Sequence, residues 1–80
     1  MKARITVTLK SGVLDPQGKA ILHTFEDLDF EGISKVRQGK IFDVEIAETD
    51  KAKAEAQLKN MSEKLLANMV MENYSFEILD

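Results

Sequence analysis

His23 is the chain's one imidazole. An imidazole can serve as general base to a hydroxyl nucleophile, or share a metal ion with other histidines, cysteines or carboxylates. His23 has no companion for either role, because there is no second His and no Cys, and no Ser or Thr stands in a recognisable nucleophile pattern with it. It falls between apolar positions of a helical stretch, where a solvent-facing imidazole is the plain reading. The glycine-containing residues 12–18 fit neither the dinucleotide fingerprint nor a P-loop, so no phosphate cradle is written there. What remains is binding chemistry, carried by charged and turn-forming residues at element ends, where loops commonly hold functional groups.

The elements that position those residues follow from periodicity. Apolar Ala3, Ile5, Val7 and Leu9 alternate with Arg4, Thr6, Thr8 and Lys10, which predicts a strand over residues 2–10 with one buried face. Asp15 can cap a helix and Pro16 suits its first position. Ile21, Leu22, Phe25 and Leu28 then recur at helical spacing, predicting a helix over residues 16–28 that lays this face on the strand. Ile33 and Val36 suggest an edge strand over residues 33–38, joined by a hairpin at Gln38, Gly39 and Lys40 to a strand over 41–47 with Phe42, Val44 and Ile46 inward. Thr49 or Asp50 can cap a longer helix over 51–67 whose stripe is Ala54, Leu58, Met61 and Leu65. Tyr74, Phe76 and Ile78 alternate in a last strand. Met61, Met69 and Met71 read as core and gap fillers.

The order β-α-β-β-α-β predicts an α+β ferredoxin-like fold, a four-stranded antiparallel sheet with two helices on one face. One domain spans residues 1–80, and a domain of this size is held by roughly 4 to 12 kcal/mol. Eleven basic residues stand against fourteen acidic ones, a net charge of −3, which argues against a phosphate-backbone binder. The aromatics fall on the helix side by parity, which removes an open-face RNA platform. The absence of Cys removes disulfides and thiolate metal sites. No apolar run reaches membrane-spanning length, and a cytoplasmic location is expected.

Three patches resemble the PurS family, the small subunit of bacterial and archaeal phosphoribosylformylglycinamidine synthase. Val13-Leu14-Asp15-Pro16-Gln17-Gly18 is similar to its strand-to-helix signature. Val36-Arg37-Gln38-Gly39-Lys40 resembles its valine, arginine, any, glycine, lysine hairpin. Leu65-Leu66-Ala67-Asn68-Met69-Val70-Met71-Glu72-Asn73-Tyr74 resembles its last patch, with Met69 where the family has proline. Asp29 stands where the family commonly has glycine, so the first helix is expected to exit without that left-handed residue, and the second to run further for want of the proline.

The resemblance implies a non-catalytic subunit that joins a glutaminase subunit to a large synthetase subunit in purine (IMP) biosynthesis and assists ammonia transfer. It implies no cofactor in this chain, ATP and magnesium being used by the synthetase, and a homo-oligomer, dimer or tetramer. The alternative of the same strand and helix order is a small-molecule sensing module resembling ACT domains. The residues put forward as partner contacts are Leu14, Asp15, Arg37, Gly39, Lys40, Asn68, Glu72 and Tyr74. Each also has a structural reading: Asp15 as helix cap, Gly39 as a hairpin glycine with positive φ between the solvated charges of Arg37 and Lys40, and Asn68, Glu72 and Tyr74 as a helix end and packed strand.

Overall fold

A computed structural model of the chain describes residues 1–79. Strand β1, Lys2–Leu9, lies at the centre of an antiparallel sheet of order β2-β1-β3, with β2 at Gly39–Glu45 and β3 at Glu72–Ile78. The alternation in β1 does what its period dictates: Ala3, Ile5 and Val7 are buried, while Arg4 and Thr8 are exposed. Register brings Ile5 opposite Phe42 on one side and Phe76 on the other. Helix α2, Lys51–Met61, lies over this face with Ala54 and Leu58 fully buried. Burying a side chain such as Ile5 or Leu58 stabilises by about 1.5–3 kcal/mol, and these few residues are the core. On the opposite face Arg4 Nε meets Asp43 Oδ1 at 2.8 Å, an exposed cross-strand pair.

The expected four-stranded ferredoxin-like sheet is not what forms. The sheet has three strands, and residues 33–38 make no strand. Ile33 and Val36 are three residues apart, so they cannot share one face of a strand whose period is two. Nor is there a hairpin at Gly39, which sits inside β2 opposite Thr8, while the positive-φ positions are Asp29 and Gly32. A Cβ on Gly39 would come 2.7 Å from the Val7 carbonyl oxygen, so the glycine serves close strand approach rather than a turn.

Helix α1, Pro16–Asp27, also departs from expectation. It was expected to cover the sheet beside α2, yet the core and the side chains packed on it include no residue of α1. Leu28 is 63% exposed and Phe30 56%. With one helix in place, Phe42, Val44, Phe76 and Ile78 are only half-buried. The chain is accordingly long, with a radius of gyration of 16.1 Å and a longest extent of 49 Å. A compact chain of this length would have a radius of about 12 Å.

Both helix ends are set by local chemistry. At the end of α1 the Phe30 amide donates to the Phe25 carbonyl and the Asp29 amide to the Glu26 carbonyl. Asp29 takes the left-handed conformation, φ 65°, and the Phe25 and Phe30 rings meet edge to face at 5.4 Å between centroids. This is a complete Schellman ending with its apolar contact, so the helix does exit through a left-handed residue, supplied by Asp rather than Gly.

Helix α2, capped by Asp50 on the amides of Ala52 and Lys53, passes into a π turn over Ser62–Leu66. Ser62 is buried and its hydroxyl donates to the Leu58 carbonyl. The wider turn rotates the stripe, so Leu66 packs on the core and Leu65, expected there, is 82% exposed. The helix does not overrun for lack of a proline. The Glu72 carboxylate accepts the Asn68 amide and the Asn68 side chain accepts that of Val70, turning the chain. Of the three methionines expected inside, Met61 packs on the core whereas Met69 and Met71 are exposed.

A left-handed aspartate costs more than a glycine there, even after the glycine's greater loss of backbone freedom. Asp29→Gly is expected to raise stability by about 0.5 kcal/mol, roughly 2–4 °C in Tm. A fall in Tm would show that the Asp29 side chain itself holds the turn.

Candidate functional site

The site is built around Asp15. As N-cap it presents both carboxylate oxygens to backbone amides: Oδ1 accepts from Gly18 at 2.8 Å, inside α1, and Oδ2 accepts from Gln38 at 2.7 Å, just before β2. One side chain thus joins two segments far apart in sequence. Pro16 follows in the first turn of the helix, where a missing amide proton leaves no bond unmade. Segment 36–38 passes so close that a Cβ on Gly18 would lie 2.3 Å from the Val36 carbonyl oxygen. Gly18 is therefore required by contact, not by backbone angle.

Arg37 closes the joint from the other side. Its guanidinium donates to the carbonyls of Val13, at 2.7 Å, and Lys10, at 3.0 Å, which fixes the β1–α1 loop against the same segment. The amides of Gln38 and Gly18, in that order, hold the Asp15 carboxyl below the usual carboxylate range, because they bond its charged form. The Arg37 charge adds to this against the opposing effect of burial. Asp15 is 5% exposed, so it needs these partners.

A third loop joins the first two. The Lys10 amide donates to the Met71 carbonyl at 2.9 Å. Lys40 Nζ lies 3.8 Å from Glu72 Oε2 and 5.9 Å from the centroid of the Phe42 ring. Asp15, Gly39, Lys40 and Glu72 line one cavity of about 220 Å³ together with Gln17 and Gln38. All three sequence patches therefore meet at one end of the sheet.

Of the eight residues put forward from sequence, four line that cavity, Arg37 braces its rim, and Asn68 shapes the turn beside it. Leu14 stands free of it, 61% exposed. Tyr74 also lies outside, donating at 2.6 Å to Glu63 on the π turn, a bond that raises its phenol above the usual tyrosine range. Sequence reasoning did not single out Gly18 and Gln38 for this joint, nor the exposure of Leu65 and Val70, 82% each. The spacing of three between Asp15 and Gly18 was the available signal for the first.

The chemistry offered is that of a surface. The Asp15 and Arg37 groups are engaged with backbone, and among the described residues no group of three or more His, Cys, Asp or Glu could hold a metal ion. His23 is exposed, 3.7 Å from Asp27 and 4.0 Å from Glu26 across helical spacings. Among the described residues no helix is long and apolar enough to cross a membrane.

Two variants test the joint. Gly18→Ala forces the Val36 carbonyl aside and is expected to cost about 1–3 kcal/mol, in the manner of an overpacked site, read as a fall in Tm; an unchanged Tm would contradict the contact. Because the Asp15 carboxyl is lowered on folding, its stabilisation is present above its unfolded pKa and lost as pH falls through the folded one. Asp15→Asn should be less stable than the wild type at pH 7, with the gap in Tm closing as pH drops from about 5 toward 2. Parallel curves would contradict the lowered pKa.

Known proteins resemble this chain in sequence and in fold over nearly its whole length. The profile of the family described as PurS, phosphoribosylformylglycinamidine (FGAM) synthase, matches residues 2–80. The phosphoribosylformylglycinamidine synthase subunit PurS of Synechocystis sp. is 47% identical over 94% of this chain and 75% of its own length. That of Bacillus subtilis is 39% identical over 96% and 90%. The C2 crystal form of B. subtilis PurS superposes with a TM-score of 0.89 at 38% identity, covering 99% of this chain and 98% of that one, so the likeness includes α1 as well as the sheet. A chain of the PurLQS structure from Thermotoga maritima gives a TM-score of 0.89 at 33% identity, covering 98% of this chain and 95% of that one. These matches give no support to a small-molecule sensor of the ACT type. The chain belongs to the PurS family.

Proposed function

We propose that this chain is a non-catalytic subunit of an ATP-dependent phosphoribosylformylglycinamidine synthase in purine biosynthesis. As one PurS-like domain over residues 1–80, it joins a glutaminase subunit to a synthetase subunit and assists ammonia transfer between them. The observation that carries the reading is the convergence of the three patches on one end of the sheet, where braced loops present Leu14, Lys40 and Val70 while Asp15 and Arg37 are engaged with backbone. A rigid, partly apolar loop cluster is what a docking surface needs, since ordered loops lose little freedom on binding. In this reading ATP and magnesium are handled by the synthetase, the chain acts in the cytoplasm, and it works as a homo-oligomer, dimer or tetramer. The exposed side chains of Leu14, Leu28, Phe30, Leu65 and Val70 favour self-association over a free monomer.

The test is reconstitution. Glutamine-dependent amidine formation by the glutaminase and synthetase together should rise at least tenfold on adding this chain, with no turnover by the chain alone. No gain over the two partners would refute the assignment. Leu14→Asp, at an exposed loop position, should weaken complex formation while changing the chain's own stability by less than about 0.5 kcal/mol; undiminished assembly would remove Leu14 from the contact.

A further inference from the structure

Helix α2 does not end as it begins. By regular spacing its stripe of Ala54, Leu58 and Met61 continues to Leu65, and no proline or glycine lies between them to break it. Instead the Ala67 amide donates to the Ser62 carbonyl at 2.8 Å, closing a turn one residue wider than an α turn. That extra residue puts Leu66 on the core and leaves Leu65 82% exposed. Turns of this kind are rare and occur as single interruptions of an α-helix.

The residue type on the two sides of the choice is the same. Tightening the turn to α spacing exchanges Leu66 for Leu65 on the core, a leucine for a leucine, so the transfer and volume terms nearly cancel. The slack of one residue passes into 68–71, where Met69, Val70 and Met71 are exposed and outside the core. Ala67, buried beside the turn, is the small residue whose place opposes the slip. With apolar burial so evenly matched, polar bonds decide between two packings of one sequence.

The bond placed to decide is the one from Tyr74 to Glu63. Tyr74 is fixed in β3 opposite Val7, its ring stacked with that of Phe76 at 6.5 Å between centroids, and its hydroxyl donates to Glu63 Oε2 at 2.6 Å. Glu63 stands within the wide turn, so tightening that turn swings its carboxylate away from a hydroxyl that the sheet holds still. A hydrogen bond to an ionised carboxylate is about twice as strong as a neutral one.

We propose that residues 62–67 have two registers, the π turn and a regular α turn that buries Leu65 in place of Leu66, and that the Tyr74–Glu63 bond latches the first. The device presents or withdraws Leu65. A partner surface seated on Leu65 engages the latched register alone and draws the chain toward it. The switch is a property of the single chain, so it stands or falls apart from the assembly role proposed above.

A double-mutant cycle tests the two registers. In a chain with one register Leu65, being exposed, is dispensable in every background. With two, Leu65→Ala should leave the unfolding constant, read by urea titration, within about twofold in the wild type yet raise it roughly tenfold in Leu66→Ala, where Leu65 has become the core residue. Where Leu66→Ala does not fold, Leu66→Val carries the same cycle with a smaller step. A Leu65→Ala change equally silent in both backgrounds overturns the slip. The latch has its own readout, because Tyr74 is the only Tyr and there is no Trp. The bond raises the phenol above the usual tyrosine range, so Glu63→Gln should lower the midpoint of the phenol's ultraviolet titration. Tyr74→Phe, which keeps the ring, should cut the rise in unfolding constant caused by Leu66→Ala roughly tenfold, since slipping then breaks no bond. An unmoved titration, or a Leu66→Ala effect that Tyr74→Phe leaves unchanged, overturns the latch.

Discussion

The carboxylate of Asp15 is the point on which this structure turns. Its two oxygens bind amides from α1 and from the residue before β2, so the direction of the helix and the start of the second strand are fixed by one group. Arg37 and the close passage past Gly18 reinforce the same joint. Such a bridge suits a chain with so small a core. Among the described residues the buried apolar ones are Ala3, Ile5, Val7, Ala54, Leu58 and Ala67, and the side chains packed on that core include none from α1. Where packing is this sparse, a charged group that accepts buried backbone amides does the ordering that a larger interior would otherwise do.

The same joint explains why the sheet stops at three strands. With Gln38 bonded to Asp15 and Arg37 bonded across to the β1–α1 loop, residues 36–38 are held against the start of α1 and pair with no strand. Helix α1 is left as an arm none of whose residues belongs to the core or packs on it. A protein that was selected to be a monomer would gain by laying Phe25 and Leu28 over Phe42 and Val44; this one leaves Leu28 exposed and the other three half-buried. Within the single chain these apolar side chains are left to solvent or only partly covered.

Much of this was legible in the residues. The period-two run of β1, the cap and proline at Asp15 and Pro16, the stripe of Ala54 and Leu58, and the last alternating strand each follow from local rules and stand within a few residues of where they were expected. The family was legible in the three patches. What escaped was non-local. Periodicity gives the apolar side of α1 but not what lies against it, and the glycine of a Gln-Gly-Lys sequence serves a tight turn or a close strand contact equally well. The π turn escaped for a different reason: only the hydrogen bond from Ser62 to Leu58 and the burial of Ser62 show that the stripe has rotated and that Leu65 faces outward.

The bridge made by Asp15 is read most directly by amide hydrogen exchange. The Gly18 and Gln38 amides are expected to be protected together in the wild type and to lose that protection together in Asp15→Ala, while Ile5 at the centre of the sheet stays slow. Free exchange of the Gln38 amide in the wild-type chain, or its continued protection without the carboxylate, would contradict the bridge and the ordering of the arm that depends on it.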